Sequence, residues 1–215
     1  MLAQTLRQAI ETAIARHGLP TRHITRATRV YRVQHESFAN PTHYNRSSDT
    51  RYGDPLKAIG VCYVALSDIV AVAETLQHGR AGAASPVLCS EIATLALHEL
   101  ETVRELVVVD AGALARNAGK RLKSIVASKG QGSEGYLYTQ LLSDVVMRHA
   151  TQVDGMLYPS QVYHITGSLE GCNLVLFEGR GVQLAGMRRQ ALEALLLSTD
   201  ETVGEALYRM QVPLE

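Results

Sequence analysis

Residues 29–74 read RVYRVQHESFANPTHYNRSSDTRYGDPLKAIGVCYVALSDIVAVAE, and this stretch decides the fold class. It opens on VYRV, a short alternating segment suited to a strand over 30–35. From His35 to Gly60 the chain is polar and aperiodic, rich in Asn, Ser, Asp, Pro and His. A loop of that length inside a folded unit is usually functional or disordered. GVCYVAL (60–66) then has the length and β-branched content of a buried strand, and Ser67-Asp68 is an N-cap signal for a helix over 69–77. On that helix Ile69, Val70, Ala73 and Leu76 make an apolar face, and Glu74 lies next to it. Arg32, Arg51, Tyr63 and Glu74 are thus set beside core-forming residues, so each is either structurally paired or aimed into a cleft.

Working outward, residues 2–17 place Leu2, Leu6, Ala9, Ile10, Ala13 and Ile14 at helical spacing, and Gly18 and Pro20 end the pattern. This amphipathic helix packs on its own domain or on a partner. Residues 21–29 read as a polar connector. Segments 92–100 and 103–109 read as two strands joined by a short turn, although Ala and Leu in the first also suit a helix. The second is nearly all apolar, so it is expected to be buried on both faces. A short helix is expected over 111–117, a loop over 129–135, a helix over 136–149 and a strand over 172–179. Candidate terminal helices cover 187–197 and 200–208. HGRAGAASP (78–86) reads as a loop. Strands and helices without regular βαβ alternation indicate an α+β fold with a mixed, mainly antiparallel sheet.

The chain has 215 residues, enough for one sizeable core. Lys+Arg and Asp+Glu are 21 each, so global charge favours neither nucleic acid nor an anionic membrane. No apolar run reaches the roughly 18 residues of a membrane span, and the charged N-terminus does not read as a secretory leader. Cys62, Cys89 and Cys172 are widely spaced and flanked by apolar residues, which suggests buried, reduced thiols and a cytoplasmic setting. The position four after His98 is Thr102, so His98-Glu99 does not begin a zinc helix, and no other histidines have metal-ligand spacing. P-loop, dinucleotide-fold and serine-hydrolase motifs are also missing.

What remains is a set of five: Arg32, Arg51, Tyr63, Glu74 and Ser160. Two arginine forks on separate segments suit the oxygens of a pyrophosphate. A tyrosine offers a flat face and a hydroxyl. One carboxylate beside a sugar can stabilise the positive charge that builds as a glycosidic bond to a good leaving group breaks. Nicotinamide is such a group, because it leaves neutral. Plainer readings stand beside these: Arg32 and Glu74 as a structural ion pair, Tyr63 as core, Arg51 as a solvated loop residue, Ser160 as a turn residue.

VYRV (30–33), TRYG (50–53), VCYVALS (61–67), AVAETL (71–76), DGMLYPSQ (154–161) and NLVLF (173–177) resemble, in order and spacing, the RES domain. Its members are the toxins of RES–Xre toxin–antitoxin modules. The resemblance covers about residues 29–180, with residues 1–28 as an added helix and connector and 181–215 as a C-terminal helical segment packed on the core. It implies a single domain similar to the ADP-ribosyltransferase and diphtheria-toxin folds. It also implies an enzyme that breaks the nicotinamide–ribose bond of NAD+, by hydrolysis or phosphorolysis, with NAD+ as substrate and neither cofactor nor metal. Carried over, Arg32 and Arg51 hold the phosphates and adjacent ribose, and Tyr63 lies against the nicotinamide. Glu74 orients the ribose and stabilises its oxocarbenium-like transition state. Ser160 hydrogen-bonds at the nicotinamide end. The second arginine is followed here by Tyr52-Gly53, where the family usually has Trp or Phe and then Asn or Ser.

The resemblance further implies a cytoplasmic toxin that stops growth by depleting NAD+. Its partner would be an Xre-like helix-turn-helix antitoxin in a hetero-oligomer, the toxin itself touching neither nucleic acid nor membrane. Two rivals use the same residues: transfer of ADP-ribose to one protein target, and a catalytically inactive protein that binds a nucleotide or a partner.

Overall fold

In the computed structural model, eight strands form one sheet in the order β1-β5-β6-β7-β3-β2-β4-β8. The structure describes residues 2–47, 49–78, 80, 85–121, 135–149, 151–163 and 168–215. The loop expected at 129–135 lies outside these except for Gly135, and the one at 78–86 lies partly outside. The strands are β1 (Thr21–Ile24), β2 (Arg29–His35), β3 (Val61–Ala65), β4 (Leu95–Thr102), β5 (Leu106–Asp110), β6 (Gly155–Pro159), β7 (Cys172–Phe177) and β8 (Leu184–Ala191). Only β5 and β6 pair in parallel, so the sheet is mixed and mainly antiparallel as expected.

The sheet is curled. All eight strands send buried residues into one cluster, among them Ile24, Val30, Val64, Leu100, Val108, Leu157, Leu174 and Leu184. Strands at opposite ends of the order therefore meet across a shared interior. That explains how the three residues Val103–Glu105 can link β4 to β5, which pair with different neighbours. The outer faces are covered by helices. Helices α1 (Leu2–His17), α4 (Ala111–Asn117) and α5 (Leu137–His149) bury Ile10, Ile14, Leu114, Leu142 and Val146 against one half. On the other half lie α2 (Asp68–Gln77), α3 (Cys89–Ala93) and α6 (Val203–Arg209). The helix at 2–17 thus packs on its own domain, and each fully buried Ile on it is worth about 1.5–3 kcal/mol.

Helix α2 begins where the N-cap signal put it: Ser67 Oγ accepts the N–H of Val70 at 3.4 Å. Its Ile, Val and Ala run is buried nearly all round, so packing outweighs the modest helix propensity of its β-branched residues. The helices over 111–117 and 136–149 and the strand over 172–179 stand within a residue or two of expectation.

Four expectations are corrected. Residues 187–197 are not a helix: β8 runs to Ala191 and is held by β4, leaving one 3-10 turn at Leu192–Ala194, so the C-terminal segment is sheet as well as helix. Residues 21–24, expected in a connector, pair with β5. Residues 92–93 close helix α3 and the strand starts at Leu95. Cys89 is exposed, while Cys62 is buried and Cys172 half-buried, and all three are free thiols.

Candidate active site

β2 and β3 lie side by side in the sheet but share one bridged pair, Tyr31 with Ala65. Alternation puts Tyr31, Val33, Tyr63 and Ala65 on the helix-covered face and Arg32 on the interior face. Beyond the bridged pair the strands part. A cleft of about 530 Å³ opens there, lined from both strands by Arg32 and Tyr63, from the 35–60 loop by Arg51, and from α2 by Glu74. Four of the five candidate residues, distant in sequence, face one cavity.

Glu74 is the most closely held of them. Its Oε1 accepts from Ser160 Oγ at 2.8 Å, from Asn173 Nδ2 at 3.0 Å and from the Gln161 backbone N–H at 3.1 Å. Among the described residues Oε2 accepts nothing. A carboxylate so anchored keeps its orientation and presents its second oxygen to whatever fills the cleft. Ser160 is fully buried and stands behind Glu74, not on the cleft wall. Its hydroxyl also accepts the N–H groups of Val162 and Tyr163, so the turn after β6 and the carboxylate share one anchor.

Arg32 Nη1 donates to the carbonyls of Pro41 at 2.8 Å and His43 at 3.1 Å, and to Cys62 Sγ at 3.2 Å. Among the described residues its remaining nitrogens have no partner, and it makes no ion pair with Glu74. The structural ion-pair reading of that pair therefore falls. Burial pushes the Cys62 thiol up, against the opposing pull of the Arg32 charge.

Arg51 is 7% exposed, not the solvated loop residue of the plainer reading. Its Nη2 donates to Gln161 Oε1 at 2.5 Å, and its guanidinium carbon sits 6.0 Å from the centre of the Tyr136 ring. The loop carrying it is fastened from both sides. Tyr63 Oη accepts the Tyr52 N–H at 2.9 Å, Ser143 Oγ donates to the Tyr52 carbonyl at 2.8 Å, and Gln140 Nε2 donates to the Thr50 carbonyl at 3.0 Å. Asp54 accepts the N–H groups of Leu56, Ala58 and Ile59 and both branches of its ion pair with Arg148 Nη2. Tyr52 is fully buried, its ring 4.7 Å from that of Tyr158. Beside it a side chain on Gly53 would meet the Ser47 carbonyl and Thr50 Oγ1 at 2.7 Å, so this loop requires glycine at 53.

Tyr63 packs against the core and also forms part of the cleft wall. Its hydroxyl is occupied by the loop, and burial pushes its pKa up to about 12, so it stays protonated at neutral pH. Its ring lines the cleft. Sequence reasoning missed Asn173, Gln161, Tyr136 and Tyr158. Tyr158 and Gln161 stood inside DGMLYPSQ and Asn173 inside NLVLF, so proximity to a motif was the available signal. Nothing in the sequence marked Tyr136. No described residues form a His, Cys, Asp and Glu cluster able to hold a metal, and no described helix is long and apolar enough to cross a membrane.

A search of curated proteins gave no match. Among solved structures, the fold is similar to a chain in the crystal structure of the M. tuberculosis MbcT–MbcA toxin–antitoxin complex. The TM-score is 0.59 at 17% identity, with 95% of this chain and 96% of that one covered. The RES domain family profile matches residues 29–200, from the first residue of β2 through β8 and beyond. With β2, the 35–60 loop, β3, α2, β6 and β7 all inside that span and their polar residues meeting at one cleft, this chain belongs to the RES domain family.

Proposed function

We propose that the cleft binds NAD+ and that the protein breaks its nicotinamide–ribose bond, as the toxin of a toxin–antitoxin pair. The observation that carries this is Glu74: three donors fix Oε1, and Oε2 is left toward a cleft that also holds two arginines without ion-pair partners among the described residues. Arg32 and Arg51 would take the pyrophosphate and adjacent ribose, each already held by one nitrogen and offering the rest of its fork. The Tyr63 ring would lie against the nicotinamide. Positive charge then builds at ribose C1′ as its bond to the ring nitrogen breaks. Nicotinamide leaves neutral with the bonding electron pair, and the Glu74 carboxylate stabilises the oxocarbenium-like centre. Water attacking C1′ gives ADP-ribose and one proton, whereas phosphate gives the 1-phosphate of ADP-ribose. Ser160 serves as a positioning residue for Glu74.

The sheet parting at the cleft suits an ADP-ribosyltransferase-like architecture. We read residues 29–180 as the catalytic core, with α1 and the C-terminal elements built onto it. The fold's similarity to a chain of a toxin–antitoxin complex supports a protein partner, for which an Xre-like antitoxin blocking the cleft in a cytoplasmic hetero-oligomer is our reading. The test is nicotinamide release from NAD+ by the purified protein, with and without phosphate. Release names the reaction, and its dependence on phosphate names the acceptor. Silence there, with labelled ADP-ribose appearing on a protein in a cell extract, gives the transferase instead.

A further inference from the structure

Gln161 touches both charged halves of the site at once. Its side-chain Oε1 accepts from Arg51 Nη2 at 2.5 Å, and its backbone N–H donates to Glu74 Oε1 at 3.1 Å. The residue before it, Ser160, donates to the same Glu74 oxygen, and Ser160 Oγ is itself fixed by the N–H groups of Val162 and Tyr163. Gln161 is therefore not free to drift. Its backbone is tied to the carboxylate that would work on the sugar, and its side chain to the arginine that would hold the phosphates. Neither Gln161 nor Ser160 lines the cleft.

We propose that Gln161 is a positioning residue that sets the distance between the anion-holding Arg51 and the Glu74 carboxylate. By occupying Nη2 with a neutral acceptor, it aims the guanidinium without cancelling its charge. An acidic side chain there would pair with Arg51 and withdraw it from an anion, so a neutral amide is the chemistry that orientation without neutralisation requires. Reach from phosphate to anomeric carbon is short but rotatable in a dinucleotide, so a rigid spacing between its two contacts lowers the cost of ordering them. The inference rests on the cleft being the NAD+ site, and its test separates the two.

Gln161→Met keeps the length of the side chain and the backbone donor but removes the acceptor. KM for NAD+ should rise roughly tenfold, about the worth of one hydrogen bond to a charged group. The variant's kcat should stay within roughly threefold of wild type, because Glu74 keeps all its donors. A merely structural role would instead lower the melting temperature and move kcat together with KM. Independently of turnover, titration calorimetry with inorganic pyrophosphate should show roughly fivefold or greater weakening in Gln161→Met. An active wild type with unchanged KM in the variant overturns the inference and leaves NAD+ cleavage standing. A wild type silent on NAD+ removes the NAD+ reading, and pyrophosphate then decides alone: weaker binding by the variant supports the positioning role, and equal binding or none by either overturns it.

Discussion

Ser160 and Glu74 are 86 positions apart and joined by a 2.8 Å hydrogen bond in which the serine hydroxyl donates to Oε1. The contact ties the end of β6 to the middle of α2, and so fixes a catalytic candidate to the sheet from the side away from the cleft. Ser160→Ala removes one of three donors to a partly buried carboxylate. The expected result is a fall in kcat for nicotinamide release of roughly ten- to hundredfold, with KM changed far less. An equal loss through KM alone would mean that Ser160 contacts the substrate.

Arg32→Lys tests whether the guanidinium is needed as a fork or only as a charge. Lysine can reach one of the Pro41 and His43 carbonyls but cannot hold them and an anion together in one plane. KM for NAD+ should rise roughly tenfold in steady-state assays, with the melting temperature nearly unchanged. Wild-type KM in this variant would remove Arg32 from the phosphate site.

Asp54 is almost fully buried and shares its carboxylate between three backbone N–H groups and Arg148. Arg148→Met leaves that charge without its ion partner. The cost should be about 2–3 kcal/mol in urea unfolding, less than for a wholly stripped buried ion because the backbone donors remain. Since the same loop carries Arg51, NAD+ turnover should fall in the still-folded variant.

Acid should destabilise the fold in two windows. His98 is held below its ordinary 6.5, first by burial and then by the Arg189 and Arg32 charges. The unfolded chain therefore takes that proton first, and stability drops as pH falls below 6.5 through the depressed value. Burial alone would raise the Asp54 and Asp154 carboxyls. Backbone N–H groups together with Arg148 and Arg104 outweigh it and hold both below 3.8. Their stabilisation is complete above 3.8 and is lost as pH falls through the depressed values. Urea midpoints across pH should show both windows, with His98→Asn losing the upper one. Persistence of the upper window in that variant would assign it to another group.

Much of the site was legible because its residues are embedded in strong local patterns. Tyr63 sits in a buried strand and Glu74 on a capped apolar helix, so side-chain alternation and helical spacing alone place them near a core. Ser160 and Arg51 lie in loop-like segments without such a pattern, and each is held by a contact 86 or 110 positions away. Gln161 and Asn173 had no signal beyond their place inside quoted motifs, and Tyr136 had none, since each matters only through a long-range partner. The C-terminal misreading has a different cause. MRRQALEALL has helix-forming residues, but pairing with β4 over Ala96–Thr102 takes its first half into the sheet. Propensity yields there to the ladder. β1 was hidden in a polar segment because it is an edge strand with three of four residues exposed.

Whether the Glu74 charge drives the reaction is decided by nicotinamide release from NAD+, measured for wild type and Glu74→Gln at matched concentration. The glutamine variant keeps an acceptor for Ser160 and Asn173 but has no negative charge. Release by wild type is expected, with a loss of roughly a hundred- to thousandfold in kcat for the variant and both proteins melting alike. Equal rates in the two would show that the Glu74 charge does not stabilise the transition state, and would contradict the account.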